Sequence, residues 1–203
     1  MSVSPRVVLL DSGGANLGSV KAAFARLGVE APVTADPASI RAATHVVLPG
    51  VGDASVCMAR LRENGLDALI PTLPQPLIGI CVGMQLLFEH SREGDTACLG
   101  LLSGTVERLP ASAGIRIPHM GWNRLEATPP GAGHVLMDGL DGASVYFVHS
   151  YAALPSADTI ATCTHGEAFS AVAARGRVMG AQFHPERSSE SGARLLRNFL
   201  SLS

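Results

Sequence analysis

Three times in its first ninety residues the sequence repeats one arrangement: a short apolar run without polar alternation, a turn rich in glycine or proline, and apolar residues at helical spacing. Val7 to Leu10 ends at Asp11 and precedes Leu17, Val20, Phe24 and Leu27; HVVLPG at 45–50 precedes Val56, Ala59 and Leu61; PLIGI at 76–80 precedes Met84, Leu87 and Phe88. Runs that are apolar on both sides need cover on both faces, which a parallel sheet between helices provides. From about residue 104 the texture changes to short alternating segments, among them TVERL, VYFVHSY and the pair SAVAA and RVMGAQF, which flank Arg175 and Gly176 as a tight hairpin would. Ser189 to Leu200 sets Ala193, Leu196, Phe199 and Leu200 on one helical face, with serines available to cap its start. The fold class expected is α/β: an open, mostly parallel sheet flanked by helices, with an antiparallel β extension in the C-terminal half. Residues 1–203 are expected to form a single domain.

Composition narrows the partners. Charged residues make up 16% of the 203, the formal net charge is -2, and Lys and Arg are scattered, so neither nucleic acid nor a membrane surface is expected as a partner. Residues 68–88 carry no charge, yet Pro71, Pro74, Pro76, Gly79 and Gly83 interrupt them, which reads as a loop, a buried strand and a helix. The first residues hold one basic residue before a short apolar run, which is not the pattern of a signal peptide. Four cysteines, at 57, 81, 98 and 163, form no CxxC. Free thiols in a reducing compartment, and hence a cytoplasmic location, are expected. The histidines are spread out, with no H-E-x-x-H and no P-loop, so no metal and no cofactor is expected.

The candidate chemistry begins at GICVGMQLLFE, residues 79–89. Cys81 falls at the carboxyl end of its strand, where open α/β sheets gather ligands, and G-x-C-x-G has the form of a strand-to-helix turn that projects a nucleophile. A helix starting there would favour the thiolate. A buried core cysteine is the alternative for this motif alone. QFHPERSS at 182–189 adds His184 and, two residues later, Glu186 at the end of another strand, a base for the thiol and a carboxylate to orient it. Cys57, Cys98 and Cys163 have no such neighbours and read as packing residues. HVVLPGVGDA at 45–54 ends a strand in Gly50, Val51 and Gly52, where backbone N–H groups could receive an oxyanion.

Together PGVGDA, GICVGMQLLFE and HPERS resemble the class I, triad-type glutamine amidotransferases, which release ammonia from glutamine through a cysteine thioester. By that resemblance Cys81 is the nucleophile, His184 moves the proton and Glu186 orients it. The resemblance also implies a glutamine-binding set of Gly50, Gly52, Val82, Gln85, Glu93, His149, Ser150 and Tyr151, with Val82 joining Gly50, Val51 and Gly52 in the oxyanion region. Within the family, DSGGANLGSV at 11–20, IPHMGWN at 117–123 and YFVHSYAA at 146–153 resemble the glutaminase subunits of imidazole glycerol phosphate synthase, in histidine biosynthesis. The glutaminase component of anthranilate or aminodeoxychorismate synthase is the alternative, and would not be expected to carry PHMGWN.

The resemblance implies a heterodimer with a cyclase subunit that takes up the ammonia, L-glutamine as substrate, and imidazole glycerol phosphate and aminoimidazole carboxamide ribotide as the products. Asn16, Met120, Trp122 and Arg187 are expected at that interface, with the core as the other possible place for Trp122. Two departures from the family pattern stand out: Ser12 where D-Y-G would have tyrosine, and Arg187 where HPEKS would have lysine. Both are expected to act at the mouth of the site.

Overall fold

The computed structural model of the chain describes residues 4–13, 16–111 and 114–202. Its first half runs β1 (Val7–Leu10), α1 (Leu17–Arg26), β2 (Val33–Thr34), α2 (Pro37–Ala42), β3 (His45–Gly50), α3 (Ala54–Glu63), α4 (Leu66–Leu69), β4 (Leu77–Cys81) and α5 (Val82–Gln85). The second half is mostly strand: β5 (His90–Ser91), β6 (Thr96–Ala97), β7 (Thr105–Arg108), β8 (His119–Arg124), β9 (Glu126–Ala127), β10 (Ser144–His149), β11 (Tyr151–Ala153), β12 (Thr159–His165), β13 (Glu167–Arg175) and β14 (Val178–Ala181), closed by α6 (Ser189–Leu200).

Eight strands form the main sheet in the order β2-β1-β3-β4-β14-β13-β12-β9. Pairings from β2 through β14 are parallel, and those from β14 to β9 are antiparallel. This is the expected mostly parallel sheet with its antiparallel extension. β1, β3 and β4 are buried along their whole length, which is why their sequences show no alternation. Two smaller sheets, β10-β8 and β11-β7-β5-β6, complete the molecule.

Several local expectations shift by a residue or a turn. The hairpin after β13 pairs Arg175 with Val178, so its two loop residues are Gly176 and Arg177, and Gly176 supplies a φ of 57°. α3 buries Ala54, Cys57, Met58 and Leu61, while Val56 points to solvent; the apolar face lies one position off the spacing of Val56 and Ala59. α5 is a single turn, because the chain bends back at Leu86 to Phe88 and packs those side chains into the core. α6 has the expected bounds and buries Leu195 beside Leu196 and Phe199, but no serine side chain caps it.

Candidate active site

β4 lies between β3 and β14, all three parallel, with Gly50 level with Cys81 and Ala181 level with Ile80. Their carboxyl ends therefore bring the PGVG turn, Cys81 and the chain after Ala181 to one edge of the sheet. Sequence separation is cancelled by strand order, and three distant motifs become one site.

Cys81 closes β4 with φ 55° and ψ -114°, a left-handed region that a non-glycine residue occupies only when its surroundings impose it. The two glycines of the motif explain how they do so. A Cβ on Gly83 would lie 1.8 Å from the Leu48 carbonyl oxygen, and one on Gly79 would lie 2.5 Å from the Gly83 carbonyl oxygen. Only glycines let β3, β4 and α5 approach this closely, and the approach turns Cys81 sharply out of the strand. Because α5 is one turn long, its dipole offers the thiol less than a long helix would. The charge partner is instead a side chain.

That side chain is His184. Its Nδ1 is 2.7 Å from Glu186 Oε1, and both side chains are buried. Nε2 is buried without a hydrogen-bond partner, so it is the ring nitrogen left to serve a reacting molecule. Burial alone disfavours the imidazolium, but Cys81 and Glu186 outweigh it and raise the His184 pKa to about 10. Burial likewise pushes Glu186 up, and the hydrogen bond and charge of His184, with the amide of Asn16, reverse this and hold it below the usual carboxylate range. Asn16 Nδ2 donates to the same Glu186 Oε1 at 2.5 Å.

The backbone of His184 is clamped from behind. His184 N–H donates to the Tyr146 carbonyl oxygen (2.9 Å). Ser188 Oγ donates to the His184 carbonyl oxygen (2.7 Å) and accepts from the Tyr146 N–H (2.9 Å). This is why Ser188 leaves α6 uncapped: its hydroxyl is engaged in holding the turn Pro185–Arg187 against β10.

A cavity of about 230 Å³ opens beside Cys81 and His184, lined by Val51, Gly52, Val82, Gln85, Glu93, Val148, His149, Ser150 and Tyr151. It is smaller than the ~300–1,000 Å³ of typical drug-sized ligand sites, a size for an amino acid. Every residue expected to bind glutamine lines it except Gly50, which instead packs backbone to backbone against α5: a Cβ there would lie 2.5 Å from Gly83 N. Gln85 donates to the Tyr151 carbonyl oxygen (2.8 Å) and to Gln182 Oε1 (3.1 Å), while its own Oε1 is buried and unpartnered. Glu93 accepts from Ala54 N–H (3.0 Å) at the start of α3, and burial, with the nearby charge of Asp53, raises its pKa despite that bond. Its carboxylate gives the cavity an acidic wall.

Of the residues expected at a partner interface, Met120 and Trp122 share the outward face of β8 and are exposed. Tyr146 and Val148 stand opposite them on β10, so this face reaches the cavity wall through Val148. Arg187 is exposed beside Glu186. Asn16 is bound to Glu186, and of its segment 11–20, Gly14 and Ala15 lie outside the described residues. Ser12 is buried, not at the mouth: its Oγ donates to the Pro49 carbonyl oxygen (2.5 Å), joining the end of β1 to the PGVG turn.

Sequence reasoning passed over Gln182, Ser188 and His119. Gln182 is buried, with Nε2 3.9 Å from the Cys81 sulfur, and its spacing of two from His184 in an extended segment was a readable signal. Cys57, Cys98 and Cys163 are free thiols; Cys57 lies beside the site, its Sγ donating to the Val51 carbonyl oxygen (3.6 Å), and burial raises Cys57, takes Cys98 to about 11 and Cys163 to about 12. Among the described residues, no group of three or more His, Cys, Asp or Glu side chains is arranged to hold a metal ion, and no helix is long and apolar enough to cross a membrane.

Residues 8–202 match the family model "Glutamine amidotransferase class-I". The chain is 57% identical over 198 residues to imidazole glycerol phosphate synthase subunit HisH of Xanthomonas oryzae pv. oryzae (strain MAFF 311018), covering 97% of this chain and 98% of the relative. It is 55% identical over 196 residues to the subunit of the same name from Xylella fastidiosa (strain Temecula1 / ATCC 700964), covering 97% of each. Two solved structures share the fold: a glutamine amidotransferase with TM-score 0.72 and 23% identity, covering 96% of both chains, and a glutamine amidotransferase from Thermotoga maritima with TM-score 0.63 and 18% identity, covering 98% of this chain and 83% of that one.

Proposed function

The chain belongs to the glutamine amidotransferase class-I family, and on that premise we propose that it is the glutaminase subunit of imidazole glycerol phosphate synthase, acting in histidine biosynthesis. The observation that carries this reading is the similarity to subunit HisH along nearly the whole chain, in a molecule whose strand ends gather Cys81, His184 and Glu186. Residues 1–203 act as one glutamine amidotransferase domain.

Glutamine enters the cavity with its side-chain amide toward Cys81. Glu93 attracts the α-amino group, and the unpartnered Gln85 Oε1 accepts a hydrogen bond from the substrate. The Cys81 sulfur attacks the amide carbon, and the developing oxyanion lies toward the backbone N–H groups of the PGVG turn and Val82. One such donor is worth about 3–4 kcal/mol in studied hydrolases. His184, protonated through the support of Glu186, gives its Nε2 proton to the departing nitrogen, so ammonia leaves and a thioester remains. The now neutral His184 takes a proton from water, hydroxide adds to the thioester, and collapse releases glutamate and the Cys81 sulfur.

Ammonia released into water at neutral pH is protonated and no longer a nucleophile, so the product needs a receiving enzyme. The partner is the cyclase subunit of the synthase, in a heterodimer that makes imidazole glycerol phosphate and aminoimidazole carboxamide ribotide. It docks on the exposed face of Met120 and Trp122, with Asn16 and Arg187 at the triad end of the contact. The complex is cytoplasmic. The test is glutamate release from glutamine by the chain alone and with the cyclase subunit bearing its nucleotide substrate. Strong stimulation by the loaded partner is expected. Turnover indifferent to the cyclase would remove the protein from this pathway, and no turnover in either case would overturn the triad.

A further inference from the structure

Three histidines that take no part in the proton transfers above, His119, His149 and His165, form one cluster at the cavity wall: His149 lines the cavity, His119 is buried behind it and His165 is partly exposed. His119 lies between Phe147 (ring centroids 4.8 Å apart) and His165 (4.1 Å), and meets His149 edge-on. Its nitrogens are spent on hydrogen bonds. His149 Nδ1 is 2.9 Å from the Tyr151 carbonyl oxygen, His149 Nε2 is 3.0 Å from His119 Nδ1, and His119 Nε2 is 3.4 Å from Asn123 Nδ2.

These contacts can be satisfied in one direction only. The Asn123 amide is oriented by two other bonds, its Nδ2 donating to the Thr164 carbonyl oxygen (2.9 Å) and its Oδ1 accepting from the Arg124 N–H (2.8 Å). The Tyr151 carbonyl can only accept, so His149 Nδ1 carries the hydrogen. Both rings are neutral, since burial lowers His119 to about 4 and His149 to about 3. His149 Nε2 is then an acceptor, His119 Nδ1 must donate to it, and His119 Nε2 must accept from Asn123. The Tyr151 carbonyl that ends this chain also accepts from Gln85, whose second N–H goes to Gln182, which reaches the Cys81 sulfur.

We propose that His119 is a positioning residue for the glutamine pocket: by donating to His149 Nε2 it holds that ring in the orientation from which Nδ1 donates to the Tyr151 carbonyl, and through the shared Tyr151 carbonyl it holds Gln85 in the orientation that presents Oε1 to the substrate. His119 touches neither the reacting atoms nor the cavity. This rests on the glutaminase reading above.

The test compares His119→Leu with His119→Asn in the complex with the cyclase subunit. Asparagine keeps an N–H near the position of the His119 Nδ1 donor, whereas leucine leaves a buried acceptor unpaired. In His119→Leu the KM for glutamine should rise about tenfold or more with kcat changed less, while alkylation of Cys81 by iodoacetamide stays at the wild-type rate. His119→Asn should return KM to within about threefold of wild type, since its donor re-forms the same bond. Nitrogen NMR of the labelled histidines should show His149 protonated at Nδ1 and hydrogen-bonded at Nε2 in wild type and His119→Asn, and its Nε2 signal shifted by loss of that hydrogen bond in His119→Leu. An unchanged KM in His119→Leu, equal impairment of both variants, or an unchanged His149 signal in His119→Leu would overturn the proposal. If the wild-type complex hydrolyses no glutamine, the functional reading fails by itself, and the NMR comparison still decides whether His119 donates to His149 Nε2.

Discussion

Cys81 is held in a backbone conformation that costs a non-glycine residue about 1–3 kcal/mol, and the strain has a chemical use, since it turns the thiol out of β4 toward the cavity. Cys81→Gly removes that strain while deleting the sulfur. It should raise stability by about 1 kcal/mol in urea unfolding and abolish glutamate release; a destabilised variant would show that the thiol's packing outweighs the strain. Glu186 acts one atom further back. Glu186→Gln keeps the shape but not the charge, and kcat should fall about 10³-fold or more, as when the acid of a triad is made an amide. Folding raises the His184 pKa from 6.5 to about 10, so its contribution to stability is whole below about 6.5 and is lost as pH rises through about 10. Without the Glu186 charge the upper limit moves down. Urea midpoints across that window should therefore begin their alkaline fall at lower pH in Glu186→Gln than in wild type.

The strand-to-helix turn of β4 and α5 is where local sequence and packing depend on each other most. Gly83→Ala would place a methyl 1.8 Å from the Leu48 carbonyl oxygen, a backbone clash that cannot be relieved by a side-chain rotation. A loss of about 3 kcal/mol or more is expected from urea unfolding, at the upper end of ordinary overpacking. The G-x-C-x-G pattern was legible because the glycines are a local necessity. β1, β3 and β4 were legible as short apolar runs without alternation, because both their faces are buried, and α1 and α6 as apolar residues at helical spacing. The apolar face of α3 and the shortness of α5 were not, because they depend on what packs across them: Leu86, Leu87 and Phe88 read as a continuing helix, yet they turn into the core. Gln182 was within reach of a period-2 reading, whereas the pairing of His119 with His149 arises from the antiparallel register of β8 and β10, which no single segment contains. Ser12 shows the same limit: a departure from the family pattern pointed to the mouth, and the fold buries it against Pro49.

Viewed as one object, the molecule connects an exposed aromatic face to His184 by a short path. Trp122 packs edge-on against Tyr146 (ring centroids 5.9 Å apart) on the outward face of β8 and β10. The Tyr146 carbonyl and N–H are tied to His184 and Ser188 respectively. A partner seated on Trp122 would thus press on the strand that holds His184, and the half-exposed indole, 55% accessible, is the kind of side chain that anchors interfaces. Trp122→Ala should weaken binding of the cyclase subunit about 10- to 100-fold, measured by titration calorimetry, and leave the urea midpoint of the isolated chain near the wild-type value. Emission from Trp122, the chain's one tryptophan, should shift or quench when the wild-type complex forms. Unchanged emission on a proven complex would move the contact elsewhere. A variant that binds normally but loses stimulation by the loaded partner would separate docking from activation, and would locate the coupling in the Trp122–Tyr146 contact rather than in the affinity of the two subunits.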